Sequence, residues 1–372
     1  MLEYPLEIFR FTQGGFRSRF RYSSTLEALE KSGINSSAVE EVVGGMVYKA
    51  GVKGNPARQI QLGAGIPVLL QQSINCAVRP YRRLGGINVK KVVVLGAGTM
   101  GAGIALVTAQ AGIKVILRDV SESLVQKGLS IIEKNLNKAV EKGKITAEKK
   151  AETIRNLIGV YDSEQFAEEL QDTDLVIEAI VEKMSVKKTV YKELDMKCPE
   201  KTIFATNTSA LSISEIASAT NRSQKVIGLH FFNPANVMQL VEVIAGASTS
   251  PETIDLINDF VKTIGKVPVQ VKEAPGFIVN RMLVPMINEA ACIYMEEVAS
   301  AEDIDTAMRL GANHPIGPLA LADMIGIDVC LAIMETLYTE FGDPKYRPCQ
   351  VIKKMVRSGF LGRKTGKGFY QY

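Results

Sequence analysis

Histidine is nearly missing from this chain: 372 residues contain only two, His230 and His314. If the chemistry needs a side-chain base that titrates near neutrality, the choice is between those two. Cysteine is sparse and unpatterned. The five residues, Cys76, Cys198, Cys292, Cys330 and Cys349, are odd in number, scattered and without a CxxC spacing. That argues against a disulfide framework and a metal site, and fits a reducing, cytoplasmic compartment. Charge is almost balanced, with 44 basic against 40 acidic residues and a formal net of +4. Without an aromatic-interleaved basic stripe, this balance argues against a nucleic-acid partner. No apolar run reaches the roughly 18 residues of a membrane span, so no membrane partner is expected. What remains is an ordinary globular composition, 46% hydrophobic and 23% charged, long enough for two or three domains with separate cores.

The most informative stretch is Lys90 to Asp119, KKVVVLGAGTMGAGIALVTAQAGIKVILRD. A β-branched run, Val92–Leu95, leads into Gly96-Ala97-Gly98-Thr99-Met100-Gly101. A helical pattern follows, then a second strand-like run, Val115–Leu117, ending near Asp119. Strand, glycine turn, helix and acidic strand end form the dinucleotide-binding pattern. Gly96 permits the tight turn, Gly98 lets the backbone approach a pyrophosphate, and Gly101 lets the helix pack closely on the strand. The helix N-terminus offers unpaired N–H groups to phosphate. Asp119 is placed to accept from the adenosine ribose, which favours NAD. Arg118 beside it could meet a 2′-phosphate, so NADP stays open.

Three regions separate by pattern. Residues 1–85 are irregular and end in the basic, turn-like Arg79–Gly86. From 88 to 273, apolar runs alternate with helical patterns. Strands are expected at Val92–Leu95, Val115–Leu117, Leu175–Ile177, Ile203–Ala205, Val226–Leu229, Leu240–Ile244 and Val267–Val271, with helices near 99–111, 121–142, 147–157, 185–197, 212–219 and 251–264. This alternation predicts an α/β, Rossmann-like doubly wound, mostly parallel sheet. From 275 to 372 only helical spacing survives, near 277–297, 303–310, 318–340 and 347–358. An all-helical C-terminal domain is expected, with apolar stripes suited to a homodimer or higher homo-oligomer.

The chemistry-bearing residues fall at strand ends and at the domain junction. His230 closes the run Gly228-Leu229-His230, and strand ends are where ligands bind in such sheets. Glu242 is the lone charge in Leu240-Val241-Glu242-Val243-Ile244. Two readings stand. Glu242 is buried and pairs with His230, fixing its tautomer; alternatively, it faces solvent from an edge strand while His230 is satisfied in the core. Asn207-Thr208-Ser209 is either an N-cap cluster or a set of groups facing the crevice. Glu178 and Glu182 close another strand, and Asn280 lies about one turn into the first helix of the C-terminal domain.

From about Val89 to Tyr372 the segments VLGAGTMGAGIA, VIEAIVE, NTSALSI, GLHFFNPANVMQLVEVI, APGFIVNR, DIDTAMRLGANHPIGPL and GRKTGKGFYQY together resemble the 3-hydroxyacyl-CoA dehydrogenase family, most closely its short-chain bacterial members. The resemblance implies an NAD-linked oxidation of an acyl-CoA substrate, a Rossmann-like domain and a helical dimerisation domain. It implies that His230 is the general base and Glu242 the acid that orients it. Ser209 and Asn280 would bind the substrate oxygen as part of the catalytic set. Gly96, Gly98, Thr99, Met100, Gly101, Asp119, Glu182, Lys187, Ser209 and Asn233 would contact the cofactor. Lys142 would contact the coenzyme A portion, although Asn135 stands where the family has a serine. The histidine design separates this pattern from β-hydroxyacid dehydrogenases that rely on lysine. The competing class is a non-catalytic nucleotide-binding or structural protein that kept the fold.

The amino-terminal piece resembles something else. Phe9 to Thr25 carries Arg10, Arg17, Arg19 and Arg21 and no acid, as transit peptides do, but Glu3, Glu7 and Glu27 flank it. From about Ile8 to Val78 the chain is similar to the start of a thiolase, through Ala28–Ile34, Val39–Gly45 and Gly54–Gln59. Cys76 comes two positions before the place of the thiolase nucleophile, and the rest of that enzyme is missing. The expectation is a truncated, non-catalytic α/β segment in which Cys76 is an ordinary thiol.

Overall fold

The structure, a computed structural model, describes residues 41–45, 71–75 and 89–372. The chain divides into two compact units, Met1–Gly86 and Ile87–Tyr372. In the first, strands β1 (Glu41–Gly45) and β2 (Gln71–Asn75) pair in parallel, with Glu41 opposite Gln71 and Gly45 opposite Asn75. Cys76, the Arg79–Gly86 boundary and most of the thiolase-like stretch lie outside the described residues.

The second unit begins with the expected βαβ. Strand β3 (Lys91–Leu95) leads through helix α1 (Thr99–Gln110) to β4 (Lys114–Arg118). Then follow α2 (Glu122–Glu141), α3 (Ala147–Arg155), β5 (Leu157–Val160), α4 (Ser163–Leu170) and β6 (Leu175–Glu178). The remaining elements of the sheet domain are α5 (Met184–Lys197), β7 (Ile203–Thr206), α6 (Ile213–Ala217), β8 (Val226–Phe231), β9 (Leu240–Ala245), α7 (Pro251–Thr263) and β10 (Val267–Lys272). One eight-stranded sheet results, in the order β10-β9-β8-β7-β6-β3-β4-β5. Side chains alternate across its faces, and each face has its own core. Val92, Val94, Leu117 and Leu229 pack against α1, α2 and α7, while Val93, Leu95, Ile116 and Phe204 pack against α4, α5 and α6.

Two departures from expectation matter. Strand β5 and helix α4 were not expected. β5 is a four-residue LIGV run on the sheet edge with only Val160 buried. The short SEQFAEEL helix is mostly polar and starts from an Asp162 N-cap that accepts from Glu164 and Gln165 N–H. Neither gives a strong periodic signal. The sheet is mostly parallel, as expected, with one reversal. Strands β3 to β8 pair in parallel, but β9 runs antiparallel to β8, and β10 is parallel to β9.

The helical part contains α8 (Val279–Met295), α9 (Ala301–Gly311), α10 (Pro318–Ile325), α11 (Ile327–Phe341) and α12 (Gln350–Arg357). The single helix expected over 318–340 is broken at Gly326, whose φ of 107° no helix accommodates. Val284, Ile287, Leu319, Cys330, Leu337 and Ile352 lie in one core. Its C-terminal tail is pinned by buried acids. Asp323 accepts N–H bonds from Phe369 and Tyr370, and Asp305 accepts from Leu319 and Ala320 N–H and the Tyr370 hydroxyl. Burial pushes the Asp323 carboxyl up despite those bonds. Among the described residues no helix is long and apolar enough to cross a membrane.

Candidate active site

The reversal at β9 builds the centre of the site. In the β8–β9 register His230 stands directly opposite Glu242, so their side chains emerge on the same face as a cross-strand pair. His230 Nδ1 lies 2.7 Å from Glu242 Oε2. Strand β9 is flanked on both sides, and Glu242 is 1% exposed, which removes the edge-strand reading. A carboxylate that deep needs compensation. It receives it from two sides: Oε1 accepts Ile278 N–H at 3.0 Å and Val279 N–H at 3.1 Å, from the first turn of α8. Those N–H groups have no partner within the helix, and the helix dipole favours a negative charge there. An ionised Glu242 only accepts, so Nδ1 carries a proton and the neutral ring keeps its lone pair on Nε2. Among the described residues Nε2 has no hydrogen-bond partner. Phe232 and Phe277 flank the imidazole, with ring centroids at 4.5 and 5.6 Å.

Ser209 and Asn280 meet across the domain junction. Asn280, the second residue of α8 rather than a turn inside it, donates from Nδ2 to the Ser209 carbonyl at 3.3 Å. Glu182 Oε1 accepts both Thr208 Oγ1 (2.5 Å) and Ser209 N–H (2.9 Å), which fixes the loop carrying Ser209. None of Asn207, Thr208 and Ser209 is the N-cap of the following helix. Ser212 caps α6 through Glu215 N–H, and Asn207 ties β7 to β8 by accepting Phe231 N–H at 2.9 Å. The Ser209 hydroxyl makes no bond within the described residues.

Beneath the loop lies a charge cluster that sequence reasoning only grazed. Lys187 is 1% exposed, and its Nζ sits 2.6 Å from Glu178 Oε1 and 3.4 Å from Glu182 Oε2. Glu178, fully buried, also accepts from Thr206 Oγ1 and Ile180 N–H. The side chain expected to touch a cofactor is thus sealed under the crevice. Its i,i+9 spacing to Glu178 spans a loop and carries no local signal. Lys142 is exposed at the C-cap of α2 and shares no bond with the dyad, and Asn233 is exposed just beyond β8.

The glycine turn takes the shape its residues prescribe. Gly96 has φ of 95°, and a Cβ there would lie 2.5 Å from Ala179 O. A Cβ on Gly101 would fall 1.8 Å from Gly96 O, whereas nothing lies within 4 Å of one on Gly98. Thr99 and Met100 form the start of α1, which has neither a side-chain cap nor an acid in its first turn. An uncapped helix start beside open backbone suits a phosphate. Asp119 accepts Ala97 N–H at 2.7 Å and Val120 N–H at 2.7 Å, holding the turn to the end of β4. Next to it, burial lowers the affinity of Arg118 for its proton; its guanidinium lies over the Phe166 ring, and one of its nitrogens is buried without a hydrogen-bond partner among the described residues.

Comparison with known proteins accounts for the whole second unit. The family profile for "3-hydroxyacyl-CoA dehydrogenase, NAD binding domain" matches residues 91–274, and that for the "3-hydroxyacyl-CoA dehydrogenase, C-terminal domain" matches 276–372. The 3-hydroxybutyryl-CoA dehydrogenase of Clostridioides difficile is 55% identical over 76% of this chain and 99% of its own length. The mitochondrial hydroxyacyl-coenzyme A dehydrogenase of Homo sapiens is 46% identical over 77% of this chain and 92% of its own. Among solved structures, the (S)-3-hydroxybutyryl-CoA dehydrogenase of Ralstonia eutropha superposes with a TM-score of 0.73 at 48% identity, covering 76% of this chain and 99% of that one. With its NAD-binding and C-terminal domains both matched, the chain belongs to the 3-hydroxyacyl-CoA dehydrogenase family and is an NAD-linked oxidoreductase of that family.

Proposed function

We propose that the chain interconverts (S)-3-hydroxybutyryl-CoA and acetoacetyl-CoA, with His230 as general base and Glu242 as its orienting acid. The observation that carries this reading is the buried 2.7 Å contact between His230 Nδ1 and Glu242 Oε2, with Nε2 left without a hydrogen-bond partner among the described residues. In the oxidative direction Nε2 takes the proton of the C3 hydroxyl. When bound, the oxidised nicotinamide supplies the acceptor for the hydride that leaves C3. The ring becomes positive as the proton arrives, and Glu242 already stands beside it. The Ser209 hydroxyl and Asn280 hold the substrate oxygen, one from each side of the junction. Gly96, Gly98, Thr99, Met100, Gly101 and Asp119 hold the dinucleotide; the open backbone at Gly98 and the uncapped start of α1 support this. Glu182 and Lys187 serve the same site from beneath, Asn233 from the loop after β8, and Lys142 reaches toward the coenzyme A tail.

A truncated thiolase-like segment over 1–85 precedes a dinucleotide-binding domain over 88–273 and a helical domain over 275–372 that supports a homodimer. Cytoplasmic placement fits the thiols of Cys198, Cys292, Cys330 and Cys349, all free. The test follows NADH absorbance with acetoacetyl-CoA as substrate, with NADPH as the alternative donor. His230→Gln should bind NADH normally and lose at least about a hundredfold in turnover. Full activity in that variant would remove the base.

A further inference from the structure

The connection from β10 to α8 makes an unusual choice of residue. Glu273 anchors its start, accepting from the hydroxyls of Ser212 and Ser214 and from Ser214 N–H. Pro275 follows, and then two consecutive residues take left-handed backbone, Gly276 at φ 71° and Phe277 at φ 52°. Phe277 N–H closes the turn on Ala274 O at 3.0 Å. The next two N–H groups, of Ile278 and Val279, are the pair that converges on Glu242 Oε1. Glycine serves this backbone at Gly276, where a Cβ would lie 2.8 Å from a Leu337 methyl. At 277 a bulky aromatic occupies a conformation that such residues seldom adopt. A glycine or asparagine would form the same turn more easily, so the turn does not explain the phenyl ring.

The ring's surroundings do. Phe277 is 3% exposed, and its ring stands 5.6 Å from the imidazole of His230 at an interplanar angle of 56°. Phe232 contacts the same imidazole at 4.5 Å and 54°. We propose that Phe277 is a positioning residue for the His230–Glu242 dyad: its backbone aims two N–H groups at the acid while its ring braces and dries the base. One residue thereby acts on both members of the dyad, and it lies where the helical domain joins the sheet. The proposal rests on the general-base reading of His230.

The deciding variant is Phe277→Gly, which suits the left-handed backbone and removes only the ring. Phe277→Leu keeps apolar volume in the core and serves if the glycine variant does not fold. Turnover should fall about tenfold to a hundredfold, with NADH affinity and the KM for acetoacetyl-CoA nearly unchanged. A second readout is magnetic resonance of the His230 Nδ1 proton. With two histidines in the chain, a His314→Asn background identifies its signal. That signal should be sharp in the parent and broadened by water exchange in the variant. Parental turnover and an unbroadened signal in the folded variant would overturn the proposal. His230→Gln is run alongside. If it keeps full rate, the base reading itself fails; if it is inactive while the Phe277 variants are normal, only the role of Phe277 falls.

Discussion

Replacing Glu242 by glutamine tests the dyad most sharply, because the side chain keeps its shape and loses only the charge. Glu242 accepts on both sides, from His230 Nδ1 through Oε2 and from Ile278 and Val279 N–H through Oε1. A carboxylate satisfies all three donors, but an amide has one oxygen. If that oxygen turns to the imidazole, the NH2 group faces two helix N–H groups, donor against donor. If it turns to the helix, the NH2 group faces Nδ1 and forces the proton onto Nε2, where the ring cannot act as a base. The second arrangement keeps more hydrogen bonds and should prevail. Charge loss adds to this. Unit charges about 4 Å apart at an effective dielectric of about 20 attract by about 4 kcal/mol, and a half-formed imidazolium by about 2 kcal/mol. That alone is roughly thirtyfold in rate. With the wrong tautomer the expected loss of kcat is about a hundredfold to ten-thousandfold. The assay is the initial rate of NADH consumption with saturating acetoacetyl-CoA, checked against unchanged NADH binding. A Glu242→Gln enzyme that keeps more than about a third of its turnover would refute both the charge and the tautomer arguments.

Other expectations concern the cofactor and stability. Asp119→Asn should raise the ratio of kcat/KM for NADPH over NADH about tenfold, because removing a carboxylate near a 2′-phosphate relieves about 1–2 kcal/mol of repulsion and leaves Arg118 beside it. An unchanged ratio would show that Asp119 serves only the turn. Lys91 is buried at the start of β3 and pairs with Glu169 at 2.6 Å and with Asp172. Lys91→Met should cost about 1–3 kcal/mol in urea unfolding at neutral pH. Burial pushes Glu169 up, but Lys91 and Lys114 outweigh it, and Lys91 holds Asp172 down, so both carboxyls titrate below their unfolded values. Their contribution is complete only above about pH 5, clear of both unfolded values, and disappears as pH falls through the lower folded values. Acid unfolding should therefore depend less steeply on pH in Lys91→Met, and equal slopes would assign the stability to other groups.

Much of the sheet domain was legible because its signals are local. The β-branched runs at Val92–Leu95 and Val115–Leu117, with the glycine turn between them, specify their own conformations within a few residues. Gly96 and Gly101 are required by backbone contacts of 2.5 and 1.8 Å that any Cβ would violate. Strand β5 and helix α4 escaped because one is a short edge strand and the other mostly polar. The break at Gly326 escaped because apolar spacing continues across it.

The sequence by itself determined which residues were available for chemistry: two histidines, a lone glutamate in an apolar strand, and a helix start without acids. It could not determine the direction in which β9 enters the sheet, since a short apolar run reads the same either way. Only the tertiary structure decided that β9 is antiparallel, which puts Glu242 opposite His230, and that α8 begins where its free N–H groups meet the same carboxylate. Burial of Lys187 against Glu178 likewise depends on segments that meet only after the sheet has formed. Local propensity acts over one or two turns of chain, whereas the pairing of buried charges is settled by which elements exclude water together.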